Sequence, residues 1–256
     1  MRVAALADVH GNLPALEAVL EDVRREGADL IVFCGDVASG PMPSETIDVL
    51  RALPNARFVR GNADRGVVDE FDGRARSQWS GPFVEWCASE IDQSQRDFLA
   101  SFETTIELNE VEGIGRALFC HAVPANDFEI ITEDTPVEEV GTVLRGVNAD
   151  AVVCGHTHMQ YDRQVGVTRL INAGSVGMSY IRPGAFWAFL GPGLPLRHTA
   201  YDRTEAAARI RSKDWSGAED FAENNVIRVP SAADVMGYLG QFKSQRSRRR
   251  EVGRRR

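Results

Sequence analysis

The sequence predicts an α/β fold, a four-layer α/β/β/α sandwich with two facing mixed sheets and a small helical insertion. Three observations carry this expectation. Short apolar runs of strand character alternate with amphipathic helical stripes near the N-terminus, the pattern of parallel strand–helix–strand units. A helical, aromatic-rich stretch without strand signal follows over residues 65–101. A second set of short strands, broken by Gly and Pro turns, then extends to about residue 201.

Residues 2–9 are mostly apolar with little alternation, as a strand buried on both faces requires. Asn12 can cap the helix that follows, Pro14 is tolerated in its first turn, Leu16, Val19, Leu20 and Val23 form its stripe, and Gly27 stops it. Residues 29–34 form a second buried strand. Because such a unit crosses over in one hand and keeps strand polarity, Asp8 and Asp36 arrive at the same end of the sheet. A Gly-Pro loop at 40–43, a helix over 44–53 and a strand over 56–60 deliver Gly61-Asn62-Ala63-Asp64 to that end as well. Residues 105–110 and 117–121 read as an antiparallel pair turning near Gly113 and Gly115, residues 136–145 as a helix, and 151–154 as a strand. Four strands over 161–165, 168–171, 185–190 and 196–201 are expected to close the second sheet, with helices from Thr204 onward outside it. Residues 1–240 are expected to form one domain, with a disordered basic tail over 241–256.

The composition, 43% hydrophobic and 26% charged, is that of an ordinary globular protein able to bury a sizeable core. No run is long and apolar enough to span a bilayer and no signal-peptide pattern precedes the first strand, so a cytoplasmic location is expected. Cys34, Cys87, Cys120 and Cys154 lack CxxC spacing and read as buried thiols. The net charge of −8 conceals an asymmetry: residues 241–256 hold eight Lys and Arg against one Glu, so the other 240 residues carry −15. Such an acidic body is a poor general nucleic-acid binder, and only the Arg-rich tail offers a surface for nucleic acid or an acidic partner.

Four of the five histidines sit in a recurrent setting. Asp8-Val9-His10, Gly35-Asp36, Gly61-Asn62, Cys120-His121 and Gly155-His156-Thr157-His158 each directly follow an apolar strand-like run. One GD or GN pair is ordinarily a turn. Five such ends in order supply seven oxygen and nitrogen donors, Asp8, His10, Asp36, Asn62, His121, His156 and His158, a set that suits two divalent cations with a carboxylate between them. The i, i+2 spacing of His156 and His158, with Gly155 allowing close backbone approach, lets the two imidazoles address different ions.

In this ordered set the sequence resembles the calcineurin-like metallophosphoesterase superfamily, small bacterial phosphodiesterase-like members above all, over Met1 to about Ser175. The resemblance implies that Asp8, His10, Asp36 and His158 hold a first metal and that Asp36, Asn62, His121 and His156 hold a second. It also implies two divalent transition-metal ions, manganese first and otherwise iron, zinc or nickel. A water shared by two such ions is acidified toward neutrality and attacks phosphorus without a protein nucleophile. Asp36, Asn62 and Asp64 form the candidate catalytic set, Asp64 either as an acceptor orienting Asn62 or His10 or as an Asx turn. Where the family pattern usually places His after Asn, this chain has Ala63, so no imidazole protonates the leaving oxygen. Lost acid assistance costs about a hundredfold in rate, which disfavours alkoxide leaving groups and favours phosphodiesters or phosphoanhydrides such as dinucleoside polyphosphates. The expected partner is a small phosphodiester or nucleotide-like substrate.

Asn172-Ala173-Gly174-Ser175 resembles a family segment at the edge of the site, as a turn or, through Ser175, a phosphate contact. His198 has no ligand neighbour and is left out of the site. Arg60 and Arg65 flank the Asn62 loop and can meet a phosphate, and Trp79, Phe83 and Trp86 can stack a nucleobase or simply pack helices. The alternatives kept open are a protein serine/threonine phosphatase of the same fold, a non-catalytic metal-binding scaffold, and a nuclease using the tail.

Overall fold

The computed structural model describes residues 1–74, 81–180, 182–231, 234–237 and 239. Trp79 and the basic tail, with the disorder and nucleic-acid binding expected of that tail, lie outside the described residues. The chain opens with β1 (Val3–Leu6), α1 (Leu13–Glu26), β2 (Leu30–Cys34), α2 (Pro43–Arg51) and β3 (Ala56–Val59). β1 and β2 pair in parallel, as do β2 and β3, so their C-terminal ends lie together. Asn12 caps α1 by accepting from the Ala15 N–H, and Gly27 ends it in the left-handed region, as its sequence signals require.

Three helices, α3 (Asn62–Phe71), α4 (Pro82–Ser89) and α5 (Gln93–Ala100), make up the described part of the insertion. The second sheet contains β4 (Thr105–Val111), β5 (Gly115–Cys120), β6 (Ala151–Cys154), β7 (Tyr161–Val165) and β8 (Thr168–Asn172), with α6 (Val137–Val143) between β5 and β6. Its strand order is β4-β5-β6-β8-β7, and β5, β6 and β8 run parallel.

The last two strands depart from expectation. β9 (Ala185–Leu190) and β10 (Leu196–Thr199) join the first sheet, whose order is β10-β9-β1-β2-β3, with β9 antiparallel to β1. All six residues of β9 are buried, as befits an inner strand that covers the free edge of β1. The helices α7 (Arg203–Arg211) and α8 (Ala218–Phe221), continued by a π-helical turn over Ala222–Ile227, follow it to the outer face of the first sheet. Ala206, Ala207, Ile210 and Phe221 share a core there with Leu16, Leu20 and Trp187.

Three apolar layers account for the four-layer stack. Ala5, Val32, Phe119, Val153, Ile171 and Leu190 pack between the two sheets. The helices α1 to α5, α7 and α8 pack on the outside of the first sheet, and Val140 of α6 packs on the outside of the second. The four cysteines are buried and unpaired. Among the described residues no helix is long and apolar enough to cross a membrane.

Trp187 tests the placement of β9: it is 1% exposed, and its indole N–H donates to Thr199 Oγ1 at 3.0 Å. Trp187→Ala is expected to lower unfolding free energy by about 3–5 kcal/mol in urea titration. Val167→Ala, at a position 94% exposed, is expected to stay within about 0.5 kcal/mol of the parent.

Candidate metal centre

Five of the seven candidate ligands leave the strand ends on an unusual backbone. Among the described residues six non-glycine positions have positive φ, and five are candidate ligands: Asp8 (53°), His10 (47°), Asp36 (55°), His156 (71°) and His158 (58°). Asp and His tolerate this region better than most residues, yet each still costs about 1–3 kcal/mol. The turned backbone aims consecutive strand-end side chains inward rather than to alternate faces. Two glycines permit the resulting crowding. A Cβ at Gly61 would lie 2.0 Å from Asp36 Oδ1, and one at Gly155 would lie 2.6 Å from Asp8 Oδ2.

The side chains gather into two adjoining groups, Asp8/His10/His158 and Asp36/His121/His156, each with donor atoms within 4.8 Å of one another. Asp36 Oδ2 faces both groups, 3.3 Å from His121 Nε2 and 3.9 Å from His10 Nε2. Asn62 Oδ1 completes the second group at 3.1 Å from His121 Nε2. Each carboxylate is pinned by one oxygen only: Ala63 N–H donates to Asp36 Oδ1 at 2.7 Å, and His156 N–H donates to Asp8 Oδ2 at 2.8 Å.

The imidazoles are pinned from behind. Nδ1–H of His10 donates to Ser39 O (2.9 Å), that of His121 to Cys34 O (2.7 Å) and that of His158 to Met178 O (2.7 Å), because a carbonyl can only accept. An imidazole held this way directs its Nε2 into the centre, where the neutral form would offer a lone pair to a cation.

Ring nitrogens therefore face ring nitrogens. His10 Nε2 and His158 Nε2 are 3.2 Å apart, and beside them the buried Asp8 Oδ1 has no hydrogen-bond partner. In the second group His121 Nε2 lies 3.2 Å from His156 Nδ1 as well as facing Asn62 Oδ1. The Asn62 amide gains hydrogen bonds to both imidazoles only when turned over. Converging acceptors without donors are repulsive in a buried site unless protons or cations lie between them. The residues present thus fit divalent ions with N and O ligands.

Several neighbours take other roles. Asp64 orients neither the Asn62 side chain nor His10. Fully buried, it accepts from the backbone N–H groups of Asp36 (2.7 Å), Val37 (2.8 Å), Ala38 (3.3 Å) and Gly61 (3.1 Å), which fixes the Asp36 loop. Burial and the Asp36 charge push its carboxyl up to about 6. Ser175 donates to Asp8 O and accepts from Met178 N–H, each at 2.8 Å, so it braces a turn. His198 is exposed and packs against Phe186. Phe83 and Trp86 stack on Phe221 and Trp215 in the helical layer. Arg65 makes a two-point ion pair with Asp127 at 2.8 and 3.0 Å. Tyr180 stacks on His158 with ring centroids 4.6 Å apart, a neighbour with no motif to announce it.

The protonation pattern follows from this packing. Burial, reinforced by His121, pushes His156 down to about 4. Burial works the same way on His121, but Asp36 and Asp8 outweigh it and raise that imidazole to about 10. Below that value the metal-free centre holds a proton on His121 that a metal must displace, whereas His156 is already neutral at pH 7. Metal uptake near pH 8 is expected to release about one proton at the second group and to tighten as pH rises toward 10. Calorimetric titration in buffers of different ionisation enthalpy reads the proton count, and zero release would contradict this account.

A family model, the calcineurin-like phosphoesterase superfamily domain, matches residues 1–188. An uncharacterized protein of Methanocaldococcus jannaschii is 28% identical over 177 residues, 68% of this chain and 69% of that protein. Among solved structures, a metallophosphoesterase from Sphaerobacter thermophilus superposes with a TM-score of 0.69 at 23% identity, covering 88% of this chain and 99% of that one. A hypothetical protein from Pyrococcus horikoshii superposes with a TM-score of 0.73 at 19% identity, covering 86% and 97%. Sandwich topology, strand-end donors and family match agree, and this chain belongs to the calcineurin-like phosphoesterase superfamily of metal-dependent phosphoester hydrolases.

Proposed function

We propose that the protein hydrolyses phosphodiesters or phosphoanhydrides such as dinucleoside polyphosphates, with Asp8, His10, Asp36 and His158 holding one divalent ion and Asp36, Asn62, His121 and His156 the other. Two bound ions, manganese ahead of iron, zinc or nickel, would supply Lewis acidity and a water acidified toward neutrality. The chain's own part is to keep the carboxylate oxygens and imidazole nitrogens directed inward before any ion arrives. Ala63 N–H holds Asp36 Oδ1 and leaves Oδ2 turned toward the imidazoles, so Asp36 would be available to both ions.

The observation that carries the substrate class is Ala63. The first residue after the Asn62 ligand contributes a backbone N–H to Asp36 and has no side-chain proton donor for a leaving oxygen. An alkoxide leaving without a proton costs about two orders of magnitude. An aryl oxide or a nucleotide phosphate carries its charge well enough to leave unaided. The unpaired buried thiols suit a reducing compartment such as the cytoplasm.

The test uses protein purified without chelator and supplied with manganese. Turnover of bis(p-nitrophenyl) phosphate is expected to exceed that of glycerol phosphate at least about tenfold in kcat/KM, and the reverse order would overturn the substrate reading. Asp36→Asn is expected to lose bound metal and about a hundredfold or more in rate while unfolding near the parent's midpoint. Full activity in that variant would remove the two-ion assignment.

A further inference from the structure

A cavity of about 430 Å³, the size of a small-molecule site, lies against the second ligand group; its walls include His121, Arg60, Arg65, Val123, Asp127 and Phe128. His121 belongs to the cluster on one side and to this cavity on the other, so a molecule seated at the centre can extend into it. Charge within the cavity is unequally matched. Arg65 is neutralised by its two-point pair with Asp127. Arg60 is not: its guanidinium has no carboxylate partner among the described residues, and its buried Nε has no hydrogen-bond partner.

That contrast is local and specific. Arg57 pairs with Glu103, Arg74 with Asp69 and Asp72, and Arg96 with Asp72. Arg60 stands among them, its backbone N–H held by Glu103 O at 2.8 Å, yet its side chain forms no ion pair among the described residues. Burying a guanidinium N–H without an acceptor is destabilising, so an acceptor that arrives with a ligand recovers that loss. Guanidinium matches phosphate oxygens better than any other side chain does.

We infer that Arg60 and this cavity form a subsite for a second phosphate of the substrate, the one expelled from the scissile phosphorus, with Val123 and Phe128 as the apolar wall for the attached nucleoside. The inference rests on the hydrolytic reading above and narrows it to nucleoside polyphosphates. The position fits the chemistry of the leaving side. Arg60 immediately precedes the Gly61-Asn62-Ala63 turn, and a guanidinium there meets negative charge where the turn offers no proton.

The experiment compares manganese-loaded parent, Arg60→Gln and Arg60→Lys on diadenosine tetraphosphate and on bis(p-nitrophenyl) phosphate, which lacks a second phosphate. The ratio of kcat/KM for the first over the second is expected to fall about tenfold or more in Arg60→Gln, mainly through KM, with partial recovery in Arg60→Lys. An unchanged ratio, or parallel loss on both substrates, overturns the subsite. If the parent hydrolyses neither compound, the hydrolytic reading itself fails. Calorimetric binding of tripolyphosphate then decides the subsite: about tenfold weaker binding to Arg60→Gln supports it, and equal binding to both proteins overturns it.

Discussion

The centre depends on two backbone N–H groups that each hold one oxygen of a buried carboxylate. His156 N–H takes Asp8 Oδ2 and Ala63 N–H takes Asp36 Oδ1, so each acid is locked in rotation with its second oxygen turned toward the imidazoles. The first bond crosses from the second sheet's loop to the first sheet's strand end, and the second joins the first turn of α3 to the loop after β2. Hydrogen bonds to charged groups contribute about 1.5–3 kcal/mol each. That is the size of the backbone cost at a left-handed residue, so these bonds and the four N–H donors on Asp64 offset the strain of the five turned candidate ligands.

Neither sheet makes the site alone. Asp8, Asp36 and Asn62 follow β1, β2 and β3 of the first sheet, while His121, His156 and His158 follow β5 and β6 of the second. The apolar layer between the sheets sets the distance between these sets, which is why the strands there use small residues such as Ala5, Ala7, Ala151 and Ala173 as well as large ones. Asn172 ties the layer to the loops: its amide donates to Gly155 O at 2.7 Å and to Thr157 Oγ1 at 3.1 Å, holding the turn that carries His156 and His158.

Much of this was legible in the sequence because the signals are local. An apolar run ending in Gly-Asp or Gly-Asn marks a buried strand and its turn, so the seven donors could be placed at strand ends from periodicity and turn chemistry alone. What was not legible depended on distant partners. β9 is buried on both faces, and a continuous apolar strand carries no alternation to say which sheet it joins; pairing with β1 decided that. The two final helices followed β9 to the first sheet. Asp64 has a motif position that suggests contact with Asn62, but its partners Asp36, Val37 and Ala38 lie a whole strand and helix away in sequence. The left-handed backbone at five candidate ligands leaves no trace in residue type beyond the tolerance of Asp and His for it.

Ala63 and Arg60 bear on the same quantity, the negative charge on the leaving oxygen. A histidine after Asn62 would neutralise that charge with a proton. Alanine removes this route, and the unpaired guanidinium two positions before Asn62 offers electrostatic relief instead. A cation cannot protonate an alkoxide, whose basicity leaves it a poor leaving group even beside a positive charge. It does stabilise a phosphate, whose charge is spread over several oxygens and needs no proton near neutrality. The strongly acidic body outside the tail works in the same direction, since it repels long polyanions, and on the proposed reading a short one would be held by the ions and Arg60. Loss of the acid and retention of an unpaired arginine are therefore consistent with one substrate class, in which the group expelled is itself a phosphate.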